Sequence, residues 1–426
     1  HCLKLSYKDT AQQNSYVTIP RAANSFDNTE IAANVGEDII DSLTGGRLVG
    51  SVTSFENFAE CPLRYYLRYG VDLKEREEFT FSPVNFGVVL HAVIREVCDE
   101  IKKNGESYYL ISEEKRREMV KRSVAAITDI YQNSILKDSS RNSFMIKRME
   151  DLADRTIWAM GEQLKCGDFV PFVFEHKFNM EVGDGDRKQL MSGTIDRVDI
   201  CENGTDVYVR IIDYKTGKKD FNIVKTYYGI DIQLMVYMEA AMKLVAKMRP
   251  GKNVIPAGVF YYNISDPIVS ATTESAEEIE DKIKGELRLK GMVNSDKDIA
   301  EKMDNTEGTS LNIPVSRKAD GGFDSRRSKV MNTEQFNMLG RFVDARAVDT
   351  ADRIAGGDIR RSPYKDGQFS SCDRCPYGAV CGFSVDLPGC NYRKLKKFDD
   401  EVLWNNIKEG VDENGKKMDT GAEERD

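Results

Sequence analysis

Residues 192–219 read SGTIDRVDICENGTDVYVRIIDYKTGKK, two alternating β-branched runs around the short turn ENGTD. Such runs on either side of a Gly-containing turn predict a β-hairpin. Centred between Gly204 and Thr205, the turn sets a register in which opposed residue numbers sum to 409, so Asp196 faces Asp213. Opposed side chains on antiparallel strands lie ~4.5–5.5 Å apart at Cβ on one face. Lys215, two residues past Asp213, projects from that face as well. Two carboxylates so close are tolerated when a cation lies between them or one keeps its proton. Mg²⁺ or Mn²⁺ suits oxygen ligands and can activate a bound water, with Lys215 stabilising charge on a phosphate. The plain alternative is a solvated, charged hairpin end. On the opposite face the same register pairs Asp199 with Arg210, read as a cross-strand ion pair.

Outward from the hairpin, FVPFVFEHKFNMEV (169–182) supplies a preceding strand and makes a meander. Lys225 to Met248 has helical spacing, and VIPAGVFYYNIS (254–265) is a further strand. Upstream, Ser51 to Gly70 reads as an aromatic helical pair broken at Pro62, Pro83 to Lys103 as a helix, and Ser112 to Cys166 as a long charged helical stretch. The sum is an α/β chain with a mixed central sheet flanked by helices. Residues 1–50 read as a lead-in to a nuclease-like unit over 51–398. Within that unit, 265–333 is a polar insertion with one amphipathic helix (Glu277 to Lys290), followed by a helix from Thr333 to Ala355. Residues 399–426 read as an acidic, disordered tail. The opening HCLKLSY lacks an initiator Met and a signal pattern, as expected of a fragment of a longer protein.

The 426 residues carry a net charge of -9, which argues against general electrostatic binding to nucleic acid. Asp399 to Asp426 alone contributes a net of -6, from ten acids and four bases. Basic clusters such as Lys215/Lys218/Lys219 and Arg317 to Lys329 therefore remain free to meet phosphates. No apolar run reaches the ~18 residues of a membrane span, so no membrane role is expected. There is no internal repeat and no G-x-x-x-x-G-K-[ST] phosphate loop.

Of three histidines, His91 lies on the helix NFGVVLHAVIREV one turn after Gly87, a plausible nitrogen ligand to the same ion. Gln233 and Tyr237 share a helix face at i, i+4 and could orient a polar substrate. Glu175, on the first strand, can point into the same cleft. Cys372, Cys375 and Cys381 form C-x2-C-x5-C, spacing that suits zinc or an iron–sulfur cluster. A fourth ligand is needed, with Cys390 nearby and Cys61 far upstream. Cys98, Cys166 and Cys201 read as small core residues.

In this order, His91, Gly193-Thr-Ile-Asp196, Asp213-Tyr-Lys215 and Gln233-x-x-x-Tyr237 resemble the RecB-like branch of the PD-(D/E)XK nuclease superfamily. A cysteine ahead of the core in S-x-x-x-F-x-x-C-P form, with C-x2-C-x5-C behind it, resembles the iron-staple nucleases, and most closely the nuclease portion of AddB-type subunits. The resemblance implies Mg²⁺ ligation by His91, Asp196, Asp213 and the Tyr214 carbonyl, with Lys215 catalytic and Gln233 and Tyr237 in the helix motif. It also implies a 4Fe-4S cluster on Cys61, Cys372, Cys375 and Cys381. For function it implies an exonuclease acting on single-stranded DNA at duplex ends, cutting the 5′-terminated strand during recombinational repair. An AddA-type subunit is the implied partner, residues 1–50 would lead in from an absent upstream helicase-like region, and the location would be the bacterial cytoplasm. Freestanding CRISPR-type exonucleases share the motifs but would lack the insertion. Lys218 and Lys219 are expected to touch backbone phosphates.

Overall fold

A computed structural model describes residues 34–44, 49–74, 83–130, 140–182, 189–270, 274–387 and 390–419. Its helices are labelled here α1 (Val52–Glu60), α2 (Pro83–Lys103), α3 (Glu113–Ile130), α4 (Ser140–Lys165), α5 (Gln233–Met248), α6 (Ala276–Glu286), α7 (Lys297–Met303), α8 (Thr333–Ala355) and α9 (Asp400–Asp419). The main sheet contains β1 (Val49–Ser51), β2 (Val170–Val182), β3 (Gln189–Asn203), β4 (Asp206–Lys215), β5 (Asn253–Asn263), β6 (Lys290–Asn294) and β7 (Val330–Met331). A smaller sheet joins β8 (Tyr364–Asp366), β9 (Phe369–Ser370) and β10 (Arg393–Lys394).

The hairpin is set as its turn predicts. Gly204 takes the left-handed conformation (φ +60°), which a residue without Cβ adopts freely. Asn203 then pairs with Asp206, and the same register continues to Arg197 opposite Ile212. β2 is antiparallel to β3 on its other side, and β5 is parallel to β4. Both faces of β4 are buried, so its residues alternate between two cores. Tyr208, Ile212 and Tyr214 face the core built by α2, α3 and α4, whereas Val207, Val209 and Ile211 face α1, α5, α8 and α9. On α2 the stripe Val89, Leu90, Val93 and Val97 is wholly buried. Each such side chain stabilises the fold by ~1.5–3 kcal/mol. The pair read from register is a triad: Asp199 accepts from Arg210 Nε at 2.9 Å and from Arg197 Nε and Nη2 at 2.6 Å each.

Several expectations need correction. Segment 265–333, expected as a polar insertion with one helix, holds more than that. β6 pairs antiparallel with β5 and β7 parallel with β6, so the segment extends the central sheet, and α7 joins α6 there. Gly291 makes this possible, since a Cβ on it would stand 1.9 Å from the Val259 carbonyl oxygen. Arg317, expected in a basic stretch open to phosphates, turns inward. Its guanidinium donates to the carbonyls of Ala300, Asp304 and Thr306 at 2.6–2.8 Å. The segment expected as a disordered tail begins as a helix, because Leu403 and Ile407, one turn apart among the acids, are buried against α8. Residues 420–426 lie outside the described residues. The end of the expected lead-in is also ordered: Glu37–Thr44 is helical and Val35 donates to the Gly357 carbonyl. Residues 1–33 are outside the described set. The helix expected from Lys225 breaks at Gly229 (φ +78°), so α5 starts at Gln233. The stretch from Ser112 is two helices, α3 and α4.

Candidate active site

The sheet opens at one residue. Phe174 pairs with Arg197 and His176 with Ile195, so Glu175 stands opposite Asp196 in register, yet the ladder skips that pair. On the other side the β3–β4 ladder stops at Arg197–Ile212, one step short of Asp196–Asp213. Asp196 is thus released from both neighbours. Its Oδ2 accepts the Tyr214 N–H at 2.6 Å, and its Oδ1 lies 3.4 Å from His91 Nδ1. Glu175 holds a left-handed backbone (φ +48°), conformational strain of the sort stored at functional sites. That geometry places its Oε1 3.7 Å from His91 Nδ1.

One donor atom from each of His91, Glu175 and Asp196 lies within 4.8 Å of the others. His91 reaches this point from α2, its ring edge-on to Tyr214 at 6.0 Å. Burial disfavours the imidazolium, but the flanking Asp196 and Glu175 carboxylates outweigh it and push its pKa up to about 10. Asp213 is buried, and burial together with Asp196 pushes its carboxyl up to about 7 against the pull of Lys215. Lys215 Nζ lies 2.6 Å from Asp213 Oδ2 and donates to Gln233 Oε1 at 2.9 Å. Gln233 Nε2 donates to Tyr237 Oη, also at 2.9 Å. Tyr237 packs edge-on against Phe178 at 5.6 Å, over Gly193, where a Cβ would lie 2.6 Å from the Phe178 ring.

The structure therefore brings His91, Glu175 and Asp196 into one donor set. It sets Asp213, Lys215, Gln233 and Tyr237 in a chain beside them. Asp213 is outside the tight set, its Oδ2 turned to Lys215. The Tyr214 side chain is buried on the α2 side, and its backbone follows Asp213 directly. Lys218 is exposed, whereas Lys219, expected with it as a phosphate contact, forms an ion pair with Asp231 at 3.0 Å and lies over the Tyr261 ring. Asp231 and Glu56 are polar groups of this site that sequence patterning alone did not single out. Neither sits in a spacing motif, and each reaches the site through the fold.

A family model described as the PD-(D/E)XK nuclease superfamily matches residues 50–382. The chain belongs to the PD-(D/E)XK nuclease superfamily. This PD-(D/E)XK chain is also similar to proteins named as one subunit of an ATP-dependent helicase/deoxyribonuclease. It is 34% identical to the one from Lachnoclostridium phytofermentans over 91% of this chain and 34% of that protein. The protein from a Thermoanaerobacter species gives 33% identity over 87% and 33%, and that from Clostridium acetobutylicum gives 34% over 89% and 34%. The chain spans about a third of the length of these relatives.

Four cysteines gather at a second place in the PD-(D/E)XK chain. Cys61, Cys372, Cys375 and Cys381 line one small cavity together with Leu63, Leu67, Tyr377 and Phe383. Cys390, the other candidate fourth ligand, is buried elsewhere and is not among the lining residues. Burial first, and then the neighbouring thiols, push the Cys372 and Cys381 thiols up. Backbone ties hold the walls together: Leu63 N–H donates to the Arg360 carbonyl at 3.2 Å, and Arg393 donates to the carbonyls of Ala59 and Glu60. Of the three remaining described cysteines, Cys98 and Cys201 are buried core residues and Cys166 is half-buried. No described helix is long and apolar enough to cross a membrane.

Proposed function

We propose that the chain is the divalent-metal-dependent exonuclease domain of a helicase–nuclease that processes double-strand DNA ends for recombinational repair. The observation that carries this reading is the His91–Glu175–Asp196 donor set standing beside Asp213 and Lys215. One imidazole and two carboxylates with donor atoms within 4.8 Å of one another fit Mg²⁺ or Mn²⁺. Such an ion would supply a water of lowered pKa and neutralise phosphate charge. The chain's own part is electrostatic and geometric. Lys215, pinned by Asp213 and Gln233, directs an ammonium into the cleft where charge develops on a phosphate. Asp196 and Asp213 join the ligand set with His91 and the Tyr214 carbonyl, and Tyr237 orients Gln233. Exposed Lys218 meets the strand's phosphates. Relatives named as a subunit of an ATP-dependent helicase/deoxyribonuclease support the setting. The substrate is then single-stranded DNA at a duplex end, the 5′-terminated strand. The partner is an AddA-type subunit and the location the bacterial cytoplasm.

The test is incubation of the purified chain with single-stranded DNA labelled at either end. With Mg²⁺ or Mn²⁺ the DNA is shortened, with the 5′ label lost first, and EDTA abolishes the reaction. DNA that is bound but uncut under every divalent ion overturns the reading.

The four cysteines belong to a 4Fe-4S cluster in this proposal, rather than to zinc. What supports the cluster is the motif: C-x2-C-x5-C behind the core with Cys61 in S-x-x-x-F-x-x-C-P ahead of it, all four thiols lining one cavity. Anaerobically purified protein is expected to be brown, with visible absorption and bound iron. A colourless sample with one zinc per chain refutes the cluster.

A further inference from the structure

Helix α5 begins without a cap of its own. Its N-cap residue is Ile232, which has no side-chain acceptor, so the first N–H groups lack a local partner. Glu56 supplies it from another helix. Its Oε1 accepts the N–H of Ile232 at 2.9 Å and that of Gln233 at 3.1 Å, across 176 and 177 positions of sequence. A carboxylate there also meets the positive end of the helix dipole.

The position matters because Gln233 is both the first residue of α5 and the residue that grips Lys215. Both ends of its amide are committed, the oxygen to Lys215 and the nitrogen to Tyr237, so its backbone position sets where the lysine ammonium stands. Glu56 is itself held firmly, because α1 is fixed at both ends. Ser51 caps its start and belongs to β1, which pairs with β3 at Leu190–Ser192, just ahead of Asp196. Its last turn runs into Cys61, in the wall of the cysteine cavity.

We propose that Glu56 is a positioning residue of the hydrolytic site, capping α5 from α1 and thereby fixing the Gln233 amide that holds Lys215. The proposal rests on the nuclease reading above and adds a residue to it. Lys219, Asp231 and Tyr261 surround the Glu56 carboxylate without replacing it: Tyr261 Oη donates to Asp231 at 2.7 Å, and Lys219 pairs with Asp231. Burial pushes the Glu56 carboxyl up to about 7, with Lys219 opposing. The capping role needs only an oxygen that accepts N–H, which a protonated carboxyl or an amide also provides.

Two conservative variants separate reach from charge. Glu56→Asp keeps the charge but is one methylene short, whereas Glu56→Gln keeps the reach. Glu56→Asp is expected to lower kcat at least about tenfold with KM within about twofold, since misplacement of ~1 Å at a reacting centre can cost about a hundredfold. Glu56→Gln restores kcat to within about threefold of wild type. Amide exchange at Ile232 and Gln233 accelerates at least about tenfold in Glu56→Asp, and cluster absorption stays at the wild-type level. If Glu56 acts through Gln233, the double variant Glu56→Asp/Gln233→Ala is no slower than Gln233→Ala alone. Wild-type kcat and exchange in Glu56→Asp overturn the proposal, as do multiplicative losses in the double variant. A wild-type protein that cuts no DNA sinks the nuclease reading instead, and exchange at Ile232 and Gln233 then decides separately whether Glu56 holds the start of α5.

Discussion

Lys215→Ala is expected to slow DNA cleavage by about 10²–10³-fold, or ~2.7–4 kcal/mol of barrier, with the fold intact. The loss is large because the ammonium is not a mobile surface charge. Asp213 and Gln233 hold it within 2.6–2.9 Å, and its side chain is only 26% exposed. Preorganised charge of this kind needs no rearrangement when negative charge grows on a phosphate. The fold survives because the carboxyl left behind can take a proton. Burial and Asp196 push the Asp213 carboxyl up to about 7, and Lys215 holds it down. Removing the lysine raises it further, so at neutral pH the buried group becomes neutral rather than an unpaired anion. Lys215→Arg is expected to fail as well, since a planar fork does not replace a compact ammonium between two acceptors. Single-turnover cleavage with saturating Mg²⁺, beside a thermal melt, checks both halves. A Lys215→Ala protein that cuts at the wild-type rate removes the catalytic assignment.

Asp199→Asn is expected to destabilise the folded chain by ~3–5 kcal/mol, a large share of the ~5–15 kcal/mol typical of a native protein. Asp199, Arg197 and Arg210 are each no more than 1% exposed. One carboxylate accepts from both guanidiniums, and losing its charge leaves two buried cations without a counterion. Replacing the whole triad by apolar residues of similar volume is far milder, because the charges leave together. Urea unfolding of Asp199→Asn against Arg197→Met/Asp199→Leu/Arg210→Met measures the contrast, and equal stabilities contradict it. The pH dependence follows from the same contacts. Burial alone raises the Asp199 carboxyl, but the two arginines overcome it and hold it below the ordinary range. Its stabilising contribution is therefore complete above the unfolded value of ~3.9 and is lost as pH falls through the lower folded value. The acid limb of stability attributable to this triad lies below about pH 4.

The hairpin register was readable because a two-residue turn containing glycine leaves little choice between β-branched runs. The Asp199–Arg210 pair came with it. Arg197 was missed as their partner, because patterning puts it on the face of Asp199 but does not say that a second guanidinium turns inward beside Arg210. Strand β6 was hidden for another reason. KGMVN is short and polar-flanked, and only the close approach of Gly291 to β5 reveals it. The last helix was masked by its acids, among which Leu403 and Ile407 are a sparse apolar stripe. Within the site, His91, Asp196, Asp213, Lys215, Gln233 and Tyr237 stood in recognisable local patterns. Glu56, Asp231 and Tyr261 did not, since their roles depend on distances across the fold. The Lys219 pairing was invisible for the same reason, because its partner Asp231 sits at a helix break that spacing had bridged.

The ties between Arg393 and the end of α1 also set a timetable. Arg393 and Ala59 are 334 positions apart, and at ~5–20 residues per second a ribosome takes roughly 15–70 s to make the chain between them. For most of that interval, until Cys372 is made, Cys61 lacks the three other cysteines of its cavity. His91, Glu175, Asp196, Asp213 and Lys215 are all synthesised well before the wait ends. A nascent chain halted short of residue 372 would carry every hydrolytic side chain while lacking three walls of the cysteine cavity. Synthesis of residues 372–393 is thus the step that can clamp α1, and the cleft acquires its final form only after it.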